Sequence, residues 1–188
     1  KKHITNYNSN TSWLDLGCGK GKLLKYLNNY TSYYGIDFDC NVLAKANHTF
    51  NSEKNTFNYL DLANNWNDTI DKWSSFNYNK RFDIIIAINS IMHFFTESFW
   101  EQLNKVVKTN SRFIFNIVND KSKEGFTMDS NTSYIKVEGD VVKYKFNPVH
   151  NSEMTERFIS QKELYSTIKK YNWEIINTYT SEEGLPSL

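Results

Sequence analysis

The sequence has few cysteines, almost no excess charge and no long apolar run, and each shortage excludes a class of protein. Its two cysteines, Cys18 and Cys40, show neither a paired spacing nor a metal-binding motif, which is typical of a reducing compartment. The 22 basic residues nearly match the 21 acidic ones, so the net charge indicates no general affinity for nucleic acid or membranes. No segment reaches transmembrane length, and we expect no signal peptide. We therefore expect a cytoplasmic protein with no membrane partner and no metal site.

The chain of 188 residues is long enough to bury a substantial core in one domain. It contains no internal repeat, low-complexity linker or coiled-coil heptad. It begins at Lys1 without an initiator Met, and from this we expect a domain cut from a longer polypeptide. The predicted organisation is therefore a single domain over residues 1–188.

Apolar runs alternate with helical patterns over the first two thirds of the chain, which is the order of an α/β protein. The predicted strands are Ser12–Gly17, Ser32–Asp39, Thr56–Leu62, Arg81–Ser90 and Ser111–Asn119. The predicted helices are Lys22–Tyr30, Asn41–Phe50 and Glu97–Lys108. We expect a mostly parallel central sheet with helices on both of its faces.

The helical pattern stops after the fifth strand. Two extended segments flank Gly139-Asp140, which predicts an antiparallel hairpin inserted within residues 120–159. Next comes a further extended segment (Glu153–Ile159). It is followed by a capping box of Ser160 with Glu163, a helix (Gln161–Tyr171) and a strand (Trp173–Thr180). The hairpin and the segments after it thus depart from the regular strand–helix alternation.

The turn after the first strand carries three glycines, Gly17, Gly19 and Gly21, in front of a predicted helix. The nicotinamide fingerprint G-x-G-x-x-G is not met, because the third glycine comes one position too early. A P-loop is excluded as well, since no G-x-x-x-x-G-K-[ST] is present. The pattern that remains is D-x-G-x-G, which begins at Asp15.

Acidic residues close the next two predicted strands. Asp37 lies 20 positions beyond Gly17, the spacing at which a carboxylate accepts ribose hydroxyls. Asp61 and Leu62 close the third strand, where a nucleotide base would lie. Because ligands of open α/β sheets bind at the carboxyl ends of the strands, these positions predict a cofactor that carries adenosine.

The glycine turn together with Asp37, Asp61 and Leu62 resembles the cofactor site of the class I S-adenosylmethionine-dependent methyltransferases. More narrowly, "DLGCGKGKLLKYL" (Asp15–Leu27) is similar to the glycine motif of messenger-RNA cap guanine-N7 methyltransferases. Later segments resemble the same family in the same order: "FDIIIAINSIMHFF" (Phe82–Phe95), "FIFNIVND" (Phe113–Asp120) and "MTERF" (Met154–Phe158). The resemblance is to the capping enzymes of large cytoplasmic DNA viruses, of the poxvirus and African swine fever virus type.

This resemblance implies a Rossmann-like class I methyltransferase fold. The implied reaction is transfer of a methyl group from S-adenosylmethionine to N7 of the messenger-RNA cap guanine. Since N7 has a lone pair and no proton, this in-line displacement needs no general base, and orientation supplies the catalysis. The implied partners are the capped 5′ end, covalently linked triphosphatase and guanylyltransferase domains, and a stimulatory subunit. The implied location is a cytoplasmic viral factory or virion.

The resemblance also implies roles for individual residues. The cofactor would be bound by Gly17 and Gly19 at the methionine moiety, Asp37 at the ribose, Asp61 and Leu62 at the adenine, Asn89 between adenine and methionine, and Asp15 either at the ligand or in support of the turn. The cap would be bound by His93 and Phe94 around the guanine, Glu156 at the guanine N1 and N2 edge, and Lys20 and Lys22 at the phosphates. Lys22 and Leu23 depart from the glycine and aspartate of the family motif, and Phe94 replaces a tyrosine.

Plainer interpretations stand beside these roles. His93 and Phe94 lie in an apolar, aromatic run and suit a core, Glu156 suits an ion pair with Arg157, and Lys20 suits a solvated helix start. A class I methyltransferase for another substrate, such as a small molecule or a tRNA base, is the first alternative function. A non-catalytic stimulatory subunit is the second, although its glycine turn and ribose acid should have eroded, and here both are intact.

Overall fold

The computed structural model describes residues 10–63, 81–117, 132–146 and 153–178. Five parallel strands form the central sheet in the order β3-β2-β1-β4-β5. They are β1 (Thr11–Leu16), β2 (Tyr30–Asp37), β3 (Asn55–Tyr59), β4 (Phe82–Ala87) and β5 (Val107–Phe115). The order reverses at β1, as in a Rossmann-like α/β fold, and the predicted parallel sheet is confirmed.

Side chains alternate between the two faces of the sheet, so each strand feeds two apolar clusters. On one face Leu14 and Leu16 pack with side chains of two helices, α2 (Glu97–Leu103) and α3 (Gln161–Lys170). On the other face Trp13 packs with Leu24, which belongs to a 3-10 helix (Lys22–Tyr26), and with Phe50, which directly follows the helix α1 (Cys40–Thr49). Helices therefore cover both faces, as predicted.

The three α-helices in the described ranges begin at side chains that accept backbone N–H groups, which would otherwise lack partners at a helix start. The caps are Asp39 for α1, Thr96 for α2 and Ser160 for α3. Ser160 accepts the N–H of Glu163, so this part of the predicted capping box is confirmed. α2 ends at Leu103, earlier than predicted, because the β-branched residue Val107 already belongs to β5 and pairs with Phe82.

The predicted helix Lys22–Tyr30 is wrong in type and length. The segment forms a 3-10 helix over Lys22–Tyr26, and Leu27 after it is already extended, with φ −91° and ψ 123°. Asn29 takes φ 59°, and Tyr30 begins β2. The apolar spacing correctly placed Leu24 and Leu27 in the core, but so few residues separate Gly21 from β2 that the chain makes only a short, tight turn of helix.

A second sheet comes after β5 and is antiparallel, with the order β6-β7-β8. Its strands are β6 (Thr132–Glu138), β7 (Val141–Phe146) and β8 (Glu153–Arg157). The predicted hairpin is confirmed, with its turn at Gly139, which takes φ 62°. The extended segment after the hairpin is its third strand, since β8 pairs with β7 along its whole length.

The last predicted strand, Trp173–Thr180, is wrong over its described residues 173–178, which have no regular secondary structure. Trp173 is held by other bonds: its N–H donates to the carbonyl of Ile168 (2.9 Å), and its indole Nε1 donates to Asn104 (2.8 Å). Trp173 and Ile175 pack against the core, while the residues between and after them are exposed. The alternation in the sequence thus reflects one-sided packing and not strand pairing.

Candidate cofactor and acceptor site

The glycine turn is held between β2 and the segment after β4. The N–H groups of Gly17 and Cys18 both donate to the carbonyl of Ile36, at 2.8 and 2.9 Å. Gly17 takes φ +77°, and a Cβ there would lie 2.5 Å from the Cβ of Ser90. The Ser90 hydroxyl donates to the carbonyl of Leu16 (2.6 Å). Both the backbone conformation and this close approach require glycine at position 17.

Gly19 lies on the open side of the same turn. It takes φ +52°, and a Cβ built there would meet nothing within 4 Å. Its N–H donates to Oδ2 of Asp37 at 2.8 Å, which holds the turn to the end of β2. The bare backbone at Gly19 therefore borders a space that a ligand can approach closely, as a cofactor at this strand end requires.

The predicted ribose and adenine residues meet at neighbouring strand ends. The second oxygen of Asp37, Oδ1, accepts the N–H of Asp39 (3.0 Å), so both carboxylate oxygens are held while each keeps accepting capacity. The N–H of Leu60 donates to the carbonyl of Asp37 (2.9 Å), which brings the chain before Asp61 and Leu62 beside β2. Asp61 is half-buried and Leu62 is buried. The geometry fits the nucleoside part of a cofactor, and the individual roles stay predictions.

Asp15 lies beneath the turn. It is buried, and its Oδ2 accepts the hydroxyl of Tyr33 at 2.6 Å. Burial raises the pKa of Asp15 to about 7, the bond from Tyr33 opposes this rise, and the charge of Asp37 adds to it. Burial and the same two carboxylates also raise the pKa of the Cys18 thiol, so Cys18 is no thiolate nucleophile. Of the two roles expected for Asp15, its burial favours support of the turn.

Asn89 closes β4 in a left-handed conformation, with φ 56°. Its N–H donates to Oδ1 of Asn116, and Nδ2 of Asn116 donates back to Oδ1 of Asn89, both at 2.6 Å. This reciprocal pair holds the segment after β4 against the end of β5. Asn89 is exposed at the same sheet edge as the glycine turn, and its predicted contact with the cofactor stays a prediction.

His93 and Glu156, predicted to share a substrate pocket, do lie together. His93 ends a short 3-10 helix (Ile91–His93), and its Nδ1 is 2.7 Å from the carbonyl oxygen of Thr155 in β8. Its Nε2 is 3.8 Å from Oε1 of Glu156, too long for a hydrogen bond but within range of an ion pair. Both side chains are largely covered, with 20% and 17% exposed.

The other predicted cap residues are placed differently. Phe94 is only 4% exposed and packs against the ring of Phe99, with the centroids 5.0 Å apart, which favours the core over a guanine contact. Lys20 and Lys22 are exposed beside the glycine turn, where contact with phosphates stays a prediction. Arg157 pairs with Asp140 and Glu163. The expected partnership between Glu156 and Arg157 is therefore replaced by one between Glu156 and His93.

Several contributors were missed from the sequence. Phe38, 41% exposed, comes directly after Asp37 at the same strand end, where an exposed aromatic ring could border the nucleoside part of a cofactor. Ser90 acts through its contact with Gly17, which depends on the pairing of β1 with β4. Thr155 acts through its backbone carbonyl, for which the sequence carries no signal.

Metal ligands and membrane-spanning helices can be assessed for the four described ranges of the chain. Within them, no group of three or more His, Cys, Asp and Glu side chains is placed to hold a metal ion. Nor do these ranges contain a helix that is both long and apolar enough to cross a membrane.

Comparison with known proteins gives a family and a fold. The family model described as "Methyltransferase domain" matches residues 7–172. No curated protein matches the sequence significantly. An S-adenosylmethionine-dependent methyltransferase from Clostridium acetobutylicum superimposes with a TM-score of 0.69 at 20% identity, over 92% of this chain and 76% of that chain. The sugar N-methyltransferase KedS8 from Streptoalloteichus sp. gives a TM-score of 0.59 at 11% identity, over 86% and 71%. At these identities the likenesses show the fold.

Proposed function

Since the chain belongs to the methyltransferase domain family, we propose that it transfers a methyl group from S-adenosylmethionine to a small-molecule amine. When bound, this cofactor supplies a methyl carbon on a positively charged sulfur, which a nucleophile can attack directly. The choice of substrate depends on one observation, the pair of His93 with Glu156. His93 contacts β8 at the carbonyl of Thr155 and lies beside Glu156 of the same strand.

The cofactor half of the site, defined as the turn Gly17–Gly21 with Asp37, Asp61 and Leu62, fits S-adenosylmethionine. The bare backbone at Gly19 suits the methionine moiety, and Asp37 suits the ribose hydroxyls. Asp61 and Leu62 suit the adenine at the end of the neighbouring strand. The proposal uses no metal ion.

The acceptor half of the site, defined as His93, Thr155 and Glu156, lies next to the methionine end of the cofactor half. Ser90 packs on Gly17, and the N–H of His93 donates to the carbonyl of Ser90 at 3.0 Å, so two contacts connect the halves. Glu156 gives the acceptor half a negative charge, which attracts a cation such as an ammonium group. The fold shared with a sugar N-methyltransferase agrees with an amine acceptor.

The messenger-RNA cap guanine is the second candidate. The same Glu156 could accept the N1–H and N2–H donors of guanine, and this is the observation that favours it. The buried position of Phe94 removes one of the expected contacts with the base. The two candidates differ in chemistry as well, since guanine N7 has no proton to lose.

Methyl transfer from radiolabelled S-adenosylmethionine separates the two candidates. We propose glucosamine as an amine acceptor, glucose as its hydroxyl control, and GpppA-capped RNA. We expect label on glucosamine and related amino sugars, and neither on glucose nor on the cap. Glu156→Gln should lower amine methylation about tenfold, the scale of losing one charged contact. The matched control Glu97→Gln removes an exposed carboxylate that pairs with Lys170, and should change nothing. Label on the cap alone would overturn the amine proposal.

A further inference from the structure

Resting on the proposed function, we infer that His93 is the catalytic base of this site and that its Nε2 takes the proton from the acceptor. This goes beyond orientation of the substrate, because it names the group that activates the nucleophile. It also restricts the acceptor to an atom that carries a proton, as an ammonium nitrogen does and guanine N7 does not.

The carbonyl of Thr155 fixes which ring nitrogen of His93 is free. Nδ1 lies 2.7 Å from that carbonyl oxygen, and a carbonyl only accepts hydrogen bonds, so Nδ1 must carry the proton. In the neutral ring Nε2 then has no proton and presents its lone pair. Because β8 supplies the carbonyl from its backbone, rotation of the Thr155 side chain cannot release this arrangement.

Glu156 is the charged group that the structure places against Nε2. Its Oε1 lies 3.8 Å away, close enough to stabilise a positive ring, and because a carboxylate only accepts hydrogen bonds it leaves the Nε2 lone pair of the neutral ring available. Arg157, the next residue, pairs instead with Asp140 (3.0 Å) and Glu163 (2.8 Å). Glu156 therefore supplies a negative charge that stabilises the ring once Nε2 is protonated, while the carbonyl of Thr155 orients the ring through Nδ1.

The step balances in atoms and electrons. Nε2 of His93 takes one proton from the ammonium group of the substrate, which frees the nitrogen lone pair. That pair forms the bond to the methyl carbon, while the electrons of the broken carbon–sulfur bond stay on the sulfur. The products are the methylated ammonium, S-adenosylhomocysteine and the protonated ring of His93 beside Glu156, which returns its proton to water.

Nitrogen-15 NMR of the free protein tests the geometry without any substrate. At alkaline pH, where imidazole rings are neutral, long-range proton–nitrogen spectra report which nitrogen carries the proton. We expect His93 to be protonated at Nδ1 in nearly all molecules. His48, exposed on α1, is the internal control and should favour protonation at Nε2. A His93 ring protonated mainly at Nε2 would overturn the inference.

Two substitutions then separate a base from a structural histidine. In His93→Asn the amide can still donate to the carbonyl of Thr155, but no base remains. His93→Gln places an amide near the position of Nε2 instead. We expect both variants to lose about 100-fold or more in kcat with glucosamine, the scale of general base catalysis, and to bind S-adenosylhomocysteine as the wild type does. A His93→Asn variant with more than a tenth of the wild-type kcat would overturn the base.

The failures of the two proposals can be told apart. Methylation of the cap and not of amines, with His93 protonated at Nδ1, overturns the amine substrate and with it the need for a base. Methylation of glucosamine that persists in His93→Asn leaves the proposed function standing and overturns the base alone.

Discussion

The cofactor half and the acceptor half of the site are built in different ways. In the cofactor half the contacts are mostly backbone to backbone or carboxylate to backbone: Gly17 and Cys18 bond to Ile36, and Asp37 accepts from Gly19. In the acceptor half the side chain of His93, which follows β4 of the parallel sheet, contacts β8 of the antiparallel sheet. We therefore expect that binding of the cofactor depends on a local turn, whereas the choice of acceptor depends on how the two sheets are joined.

Substitution of Gly17 should have the largest effect on the cofactor half. Gly17→Ala must place a Cβ 2.5 Å from the Cβ of Ser90 at φ +77°, so we expect a loss of at least about 3 kcal/mol in unfolding free energy, since a left-handed backbone alone costs about 1–2 kcal/mol. Chemical denaturation measures it. In Gly19→Ala the Cβ meets no protein atom, and we expect a loss of only about 1 kcal/mol together with loss of binding to S-adenosylhomocysteine. Equal stabilities for the two variants would contradict this account.

The buried support of the cofactor half should respond to pH. The folded protein holds the pKa of Asp15 at about 7, above its ordinary value of 3.8, so the folded state binds this proton more tightly than the unfolded state does. The stability due to Asp15 is therefore full below about pH 4 and is lost as the pH rises toward 7, by at most about 1.4 kcal/mol per pH unit. Asp15→Asn should lack this decline when unfolding is followed from pH 5 to pH 7. A parallel decline in both proteins would show that Asp15 does not titrate as expected.

Asp37→Asn should have a smaller effect, a loss of affinity in the cofactor half. An amide has one oxygen in place of two, so it cannot accept from Gly19 and Asp39 together. We expect affinity for S-adenosylhomocysteine to fall about tenfold, the scale of a hydrogen bond to a charged group. Asp39→Asn is the matched control, because asparagine caps a helix as well as aspartate does, and titration calorimetry should find its affinity unchanged.

The smallest effect concerns Phe94, which the resemblance placed at the substrate and the structure places in the core. Phe94→Leu should lower the unfolding free energy by about 1 kcal/mol, because a smaller side chain packs less well against Phe99. The KM for the acceptor should not change. A raised KM at unchanged stability would return Phe94 to the acceptor half.

The sequence predicted where the glycine turn and Asp37 lie because the signals for them are local, while their roles in binding the cofactor stay predictions. Strand, glycine turn and closing acid succeed one another along a short stretch of chain, and the strand ends of a parallel sheet meet at one edge whatever lies elsewhere. The C-terminal ends of the helix Lys22–Tyr26 and of α2 were predicted too late. Each helix ends shortly before the next strand begins, and that position depends on tertiary pairing.

That His93 and Glu156 lie together could be predicted only through a resemblance, and their role at an acceptor stays a prediction. His93 and Glu156 are far apart in sequence, and no spacing rule brings them together. Nδ1 of His93 donates to the backbone carbonyl of Thr155, which any residue at that position would supply, so the residue type carries no signal of the contact. Likewise, the alternation of apolar and polar residues at Trp173 and Ile175 indicates which side chains face the core. It does not indicate whether a neighbouring strand is present.

Titration calorimetry with S-adenosylhomocysteine tests the division into two halves most directly. We expect the wild type to bind one molecule per chain, His93→Asn to bind it with the same affinity, and Asp37→Asn to bind it about tenfold more weakly. No binding to the wild type, or an equal loss of affinity in both variants, would contradict the account.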